Sequence, residues 1–132
     1  MDHILNVAGG LPIDLDAVAD QLRRQIDGMT GSSLLAVQKL AAQSGVSEVL
    51  VVCRTYEEPH IHPDGDLVVF VLEGAGYFQL DDGSTVDAPL GGVAVIPKGV
   101  CHAFHNVSQA DTVLLATFSP INSKADCPPA QS

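Results

Sequence analysis

The spacing of apolar residues divides the chain into one helical segment followed by a long series of short strands. Between residues 14 and 29 apolar side chains recur every three or four positions, as on one face of a helix. Asp14 is a favourable N-cap for this helix, and Gly28 and Gly31 end it. We therefore expect residues 1–31 to form an N-terminal helical segment that packs on the rest of the chain or takes part in a dimer.

The stretch from residue 32 to residue 43 is compatible with a strand or with a second helix. The apolar run 34–37 suits both structures, whereas Ala41 and Ala42 favour a helix. Because every later segment has the pattern of a strand, we favour a strand here.

From Ser47 onwards the chain consists of short apolar runs separated by turn residues, at intervals of about 8–12 residues. Asp81-Asp82-Gly83 lies between two of these runs and is a strong hairpin signal. The pattern predicts an all-β sandwich or barrel over residues 32–118 and a flexible C-terminal tail over residues 119–132. The predicted strands are 49–55, 67–72, 77–80, 85–86, 93–96, 101–106 and 112–118.

Composition limits the size of the protein and the kinds of partner it can have. The 132 residues are 46% hydrophobic and include no Trp, which indicates one domain with an aliphatic core. The net charge of -10, with only 6 scattered basic residues, argues against binding to nucleic acid or to an anionic membrane. No apolar stretch approaches the length of about 18 residues that a membrane span needs.

The cysteines and the N-terminus predict a compartment. Cys53, Cys101 and Cys127 show no CxxC spacing, so we expect reduced thiols rather than a disulfide framework. The first residues lack the basic region of a signal peptide. Both features favour a cytoplasmic protein.

Three histidines in the strand region carry the candidate chemistry. His60 and His62 are separated by one residue. On a strand they therefore point to the same face, because successive side chains alternate between the two faces. His102 belongs to a separate strand bounded by glycine and proline, and it can complete a set of three nitrogen ligands around one metal ion.

Two motifs around these histidines resemble those of the cupin superfamily. The first runs from His60 to Gly74, and the second from Gly91 to Asn106. The resemblance covers roughly residues 45–118 and implies a double-stranded β-helix, the cupin jelly-roll barrel, with a metal ion held inside. The second motif matches the family pattern at every defined position, namely Gly91, Pro97, Gly99, His102 and Asn106.

The resemblance implies His60, His62 and His102 as metal ligands, with a glutamate as the fourth. This chain has Leu67 at the glutamate position. Asp66 precedes it and faces the other side of a regular strand, although a β-bulge can turn it inward as a fourth ligand. We favour a three-histidine site for one divalent transition metal. Imidazole ligands suit iron, zinc, nickel and copper without choosing among them, and we take iron, zinc, nickel and manganese as the candidate ions.

Two residues before the first motif are candidates for catalytic roles. Glu58 shares the alternation of His60 and His62 and can act as a base or a ligand, whereas the alternative, which we prefer, is a solvated side chain beside Glu57. Tyr56 faces the same way on this pattern and can donate a hydrogen bond to a substrate, with core packing as the alternative.

Three-histidine sites of this superfamily resemble those of thiol dioxygenases and of dioxygenases that cleave diketones. The resemblance therefore implies a metal-dependent enzyme of the oxygenase type, acting on a small polar or anionic metabolite. Two alternatives stay open: a non-catalytic module that binds or senses a small molecule, and an oxygen-independent isomerase or lyase. We also expect a homodimer, because short cupins often pair through sheet edges and exposed edge strands are costly to leave open.

Overall fold

A computed structural model describes residues 13–43, 46–119 and 124–127 of the chain. Residues 1–12 of the predicted helical segment and the tail residues 120–123 and 128–132 lie outside these ranges. Within the described ranges, one helix precedes ten strands: α1 (Leu15–Asp27), β1 (Leu35–Gln43), β2 (Val46–Cys53), β3 (His60–Ile61), β4 (Asp66–Glu73), β5 (Gly76–Leu80), β6 (Thr85–Ala88), β7 (Val93–Ile96), β8 (His102–Asn106), β9 (Thr112–Ser119) and β10 (Ala125–Asp126).

The strands form two antiparallel five-stranded sheets. One has the order β1-β2-β9-β4-β7 and the other the order β10-β3-β8-β5-β6. The inner faces share one apolar core, in which Val69 and Leu114 of the first sheet cluster with Phe78 and Phe104 of the second. The predicted all-β barrel with an N-terminal helix is confirmed. The predicted hairpin at residues 81–83 is also confirmed, and it joins β5 to β6. Residues 35–43 form a strand, which was the structure favoured for the ambiguous stretch 32–43.

Helix α1 covers the outer face of the first sheet. The Asp14 side chain accepts a hydrogen bond from the backbone N–H of Ala17 at 3.1 Å, as expected for an N-cap. Leu22 and Ile26 are buried against the outward side chains of β1 and β2. Burying one such side chain contributes about 1.5–3 kcal/mol. The apolar face therefore holds the helix in place, as the periodicity predicts.

Strand β4 alternates regularly, and this decides which of its side chains reach the interior. Leu67, Val69 and Val71 are buried, whereas Asp66 is exposed. The irregularity in the pairing of β4 with β9 lies between Val71 and Glu73, beyond Asp66. No bulge therefore turns Asp66 inward.

The C-terminal part of the chain corrects two predictions. Cys101 and Cys127 form a disulfide, whereas we expected reduced thiols. Residues 124–127, within the predicted flexible tail, contain β10, which pairs with β3. Sequence spacing carried no sign of this, because the two cysteines are 26 residues apart and meet only through the sheet. The third thiol, Cys53, is free and buried, and burial raises its pKa to about 12.

No helix in the described part of the chain has the length and apolar character that crossing a membrane requires.

Candidate metal centre

Two strands of the second sheet bring three histidines together inside the barrel. His60 begins β3, His62 follows that strand, and His102 begins β8, where it is the cross-strand partner of His60. The three residues are 5%, 6% and 1% exposed. One ring nitrogen from each lies within 4.8 Å of the others. The expectation that His60 and His62 share a face, with His102 arriving from another strand, matches this arrangement.

Backbone carbonyls orient two of the three rings. The Nδ1–H of His60 donates to the Glu58 carbonyl oxygen at 2.9 Å, and the Nδ1–H of His102 donates to the Val100 carbonyl oxygen at 2.9 Å. Because a carbonyl can only accept, these bonds place the proton on Nδ1 and leave the lone pair on Nε2. Both Nε2 atoms therefore have the electronic form that binds a metal ion.

The contacts of the Nε2 atoms fit a shared cation. The Nε2 atoms of His60 and His62 are 3.1 Å apart. Two nitrogens that each bind one ion at about 2.1 Å lie at most about 4.2 Å apart. The Nε2 of His102 is buried and has no hydrogen-bond partner among the described residues. A buried polar atom without a partner costs about 1–3 kcal/mol, and a metal ion at this position would remove that cost.

Burial also keeps the imidazoles of His60 and His102 neutral. It lowers the pKa of His60 and of His102 to about 4, although the carbonyl bonds to Nδ1 act in the opposite direction. The two rings are therefore uncharged near neutral pH, which is the state that metal binding requires.

The histidines line an apolar cavity of about 150 Å³. Its walls come from both sheets and are mainly aliphatic or aromatic, and the ring of Phe118 packs edge-on against His62 at a centroid distance of 4.6 Å. The lining also includes the charged residues Glu57 and Lys124. The site thus combines three imidazole nitrogens with a largely water-excluding wall.

Two neighbouring residues of β4, Leu67 at the glutamate position of the motif and Asp66 before it, lie on opposite faces of the strand. Leu67 lines the cavity, as expected from the motif. The Asp66 carboxylate lies on the outside, where it accepts a hydrogen bond from the Lys98 backbone N–H at 2.9 Å. Asp66 therefore does not join the histidine cluster.

The catalytic candidates Tyr56 and Glu58 also lie outside the cavity. The Tyr56 hydroxyl is 2.7 Å from the Ser32 hydroxyl, and its ring stacks on His105 on the outer side of the sheet. Glu58 is exposed in an adjoining surface groove. The prediction assumed one unbroken alternation up to His62, but residues 57–59 are not in a strand and the phase is lost there.

Sequence reasoning missed the two charged residues of the cavity. Glu57, which the sequence pattern did not mark as a site residue, has a side chain only 18% exposed. Burial raises the pKa of Glu57 to about 7, although the hydrogen bond from the Phe104 N–H acts to lower it. Lys124 reaches the cavity because β10 and the disulfide hold its segment against β3. No local pattern marks either residue, since both positions depend on contacts with distant segments.

Comparison with known proteins identifies the family. The family model described as a cupin domain matches residues 49–118. This chain belongs to the cupin family. An uncharacterized protein of Aquifex aeolicus is 41% identical to this cupin over 86 residues, which are 65% of this chain and 69% of that protein.

Solved structures similar to this cupin share its double-stranded β-helix. An RmlC-like cupin protein from Desulfovibrio desulfuricans is 27% identical, with a TM-score of 0.58, over 65% of this chain and 82% of that one. KdgF from Halomonas sp. is 23% identical, with a TM-score of 0.60, over 67% of this chain and 81% of that one. An oxalate oxidase in complex with the substrate analogue glycolate is 24% identical, with a TM-score of 0.62, over 73% of this chain and 56% of that one. The last two likenesses show the fold alone.

Proposed function

We propose that this cupin is a metal-dependent enzyme of the oxygenase type that acts on a small polar or anionic metabolite. The observation that carries the proposal is the cluster of three buried imidazoles inside an apolar cavity, with the His102 Nε2 lacking a partner in the described structure. Buried polar atoms are normally satisfied, so a site of this kind favours an external cation.

His60, His62 and His102 would hold one divalent transition metal, with iron, zinc, nickel and manganese as candidates. When bound between three neutral ligands, the ion would supply Lewis acidity and open coordination positions for substrate and oxygen. The hydrogen bonds from His60 and His102 to backbone carbonyls keep both rings in one tautomer and orientation, as such partners of ligating histidines commonly do in metal sites.

The other residues of the cavity would bind and desolvate the substrate. Aliphatic and aromatic walls exclude water and strengthen electrostatic interactions inside the cavity. The ammonium group of Lys124, at an exposed position of the cavity wall, can attract an anionic group of the substrate. We therefore favour a substrate that joins one polar or anionic group to an apolar body.

A non-catalytic binding or sensing module is the second candidate. In the described part of the cavity wall Glu57 is the only carboxylate, so few groups besides the histidines can transfer a proton. An oxygen-independent isomerase or lyase needs the same metal and differs from the oxygenase in consuming no oxygen. A cytoplasmic location also stays a proposal, and the Cys101–Cys127 disulfide argues against it, because such bonds are rare in reducing compartments.

Metal analysis of the untagged protein tests the site. We expect close to one metal ion per chain in the wild type, and none in His62→Ala or His102→Ala. Asp66→Asn is the matched control and should retain the metal, because Asp66 faces solvent. Loss of the metal in Asp66→Asn, or its retention in both histidine variants, would overturn the three-histidine site.

Oxygen uptake by the iron-loaded protein tests the reaction type. A panel of small carboxylates and diketones should include compounds that stimulate uptake in the wild type and not in His102→Ala. Substrate turnover without oxygen uptake would favour the isomerase or lyase. Tight binding of a panel compound without turnover would favour the binding module.

We also propose that the protein is a homodimer. Phe70, Val93 and Val95 are 42%, 52% and 57% exposed on the outer face of β4 and of the edge strand β7. Helix α1 covers the other end of the same sheet. Phe70→Ser should then shift the mass measured by light scattering from dimer to monomer, with Val107→Ser, an exposed residue outside these strands, as the control. A monomeric wild type would contradict the proposal.

A further inference from the structure

A carboxylate enters the histidine cavity from a segment other than β4. Strand β4 presents Leu67 to the cavity, and its neighbour Asp66 points outward. Glu57 directly follows Tyr56, whose isolated strand pairing with His105 precedes β3, and it lines the same cavity as the three histidines. Among the described residues, no other carboxylate does so.

Contacts with Phe104 fix Glu57 at both its backbone and its side chain. The Glu57 N–H donates to the Phe104 carbonyl oxygen at 2.9 Å. The Phe104 N–H donates to Oε1 of Glu57 at 3.2 Å. The side chain is therefore tied to β8, the strand that also carries His102, and its second oxygen is directed to the cavity.

The second oxygen lies next to a histidine of the cluster. The distance from Glu57 Oε2 to His60 Nε2 is 3.7 Å. A nitrogen and an oxygen that each bind one ion at about 2.0–2.2 Å lie at most about 4.2 Å apart. Oε2 and this Nε2 are thus close enough to contact the same ion. Oε2 is outside the group of three histidine nitrogens that lie within 4.8 Å of one another, so the Glu57 side chain would move towards the ion when it binds.

Burial of this carboxylate needs compensation that the described side chains do not fully supply. Among them, Glu57 has the single hydrogen bond from Phe104 to its side chain, and the side chain of Lys124 is on the exposed side of the cavity. A carboxylate placed in apolar surroundings is costly unless it takes up a proton, is paired with a cation or coordinates a metal. The positive charge that would compensate it is the ion that the three imidazoles fit.

We propose that Glu57 is a fourth ligand of the three-histidine site and binds the ion through a carboxylate oxygen. It would take the place of the glutamate in the family motif, whose position Leu67 occupies in this chain. The proposal rests on the metal site proposed above. A carboxylate donor lowers the net charge at the ion, and it adds the ligand type that suits manganese better than three imidazoles alone.

Metal affinity of the untagged protein, measured by competition with a chromogenic chelator, tests the role of Glu57. The probes are Zn²⁺ and Mn²⁺ added to metal-free protein at pH 7.5. We expect Glu57→Gln, which keeps the size of the side chain, to weaken binding of both ions by about 10-fold or more, with the larger loss for Mn²⁺. Glu58→Gln removes the same charge one residue away, on the exposed side, and should change affinity less than twofold.

A second variant tests whether the carboxylate acts at the metal. Introducing Leu67→Glu into the Glu57→Gln protein places a carboxylate at the position used by the family. We expect it to restore most of the lost affinity. Circular dichroism and thermal unfolding of each metal-free variant show whether the barrel is folded.

The outcomes separate this inference from the proposed function. If the wild type binds the ions and Glu57→Gln binds them equally well, Glu57 is not a ligand, while the three-histidine site stands. Equal losses in Glu57→Gln and Glu58→Gln would also overturn the inference, because they indicate a general charge effect. If the wild type and every variant bind neither ion, the metal site itself fails.

Discussion

Acidification of the metal-free protein should reveal two opposing contributions to the free energy of unfolding. Burial lowers the pKa of His60 and of His102 to about 4, whereas an unfolded histidine titrates near pH 6.5, at about its ordinary value. Below about pH 6.5 the unfolded chain therefore binds protons at these two histidines, whereas the folded protein leaves both rings unprotonated. The stability that these two neutral rings contribute is complete above pH 6.5 or so, and it is lost as the pH falls towards 4.

Glu57 acts in the opposite direction over nearly the same range. Burial raises its pKa to about 7, whereas an unfolded glutamate titrates at about 4.3. The folded protein therefore holds a proton that the unfolded chain releases. The contribution of Glu57 is complete below the unfolded value and is lost as the pH rises through 7.

The magnitude follows from counting protons between roughly pH 4.5 and 6.5. Each proton of difference changes the free energy of unfolding by about 1.4 kcal/mol per pH unit. In this range the unfolded state binds two more protons than the folded state at His60 and His102. The folded state binds one more proton than the unfolded state at Glu57, so the net difference is one proton. These three groups together should cost the wild type about 1.4 kcal/mol per pH unit, and the two histidines alone should cost Glu57→Gln about 2.8 kcal/mol per pH unit, so the two slopes should differ by about 1.4 kcal/mol per pH unit.

Urea unfolding of the metal-free protein in a chelator, at several pH values from 4.5 to 7.5, measures both slopes. Glu58→Gln is the control and should follow the wild type, because its side chain is exposed. Equal slopes in the wild type and in Glu57→Gln would refute the assignment of a buried, protonated Glu57. A wild-type stability independent of pH below 6.5 would refute the neutral, buried state of the histidines.

The remaining predictions concern stability. An added methyl group at Gly76 would overlap the His105 carbonyl oxygen on the neighbouring strand, so Gly76→Ala should destabilise the barrel by about 3 kcal/mol or more. Gly83 has open space and a φ of 87°, so Gly83→Ala should cost only about 1–2 kcal/mol. If urea unfolding gave comparable losses of unfolding free energy for Gly76→Ala and Gly83→Ala, the result would contradict the register of β5 with β8. The disulfide joins residues 26 apart, for which chain entropy gives at most about 3.5 kcal/mol. Cys127→Ser should lose no more than this, and the reduced wild type should behave in the same way. An unfolding midpoint of the wild type that is insensitive to reductant would count against the disulfide.

The helix, most strands and the histidine cluster could be predicted because they depend on local periodicity. An apolar repeat of three to four residues places Leu22 and Ile26 on one face of α1, whatever that face packs against. Alternation along β4 likewise places Leu67 inward and Asp66 outward without knowledge of the partner strands. His60 and His62 are two residues apart, so their common orientation is also a local property.

Residues 54–59 and the C-terminal segment could not be predicted, because their positions depend on contacts between distant parts of the chain. Alternation fails before His60, where a pair of hydrogen bonds to Phe104, 47 residues away, turns Glu57 rather than Glu58 into the cavity. The Cys101–Cys127 bond likewise forms only once β10 pairs with β3. Periodicity along the chain thus determines which face of each element is buried. Only the packing of the two sheets decides which charged side chains share the cavity with the histidines, because that packing sets the distances between residues far apart in sequence.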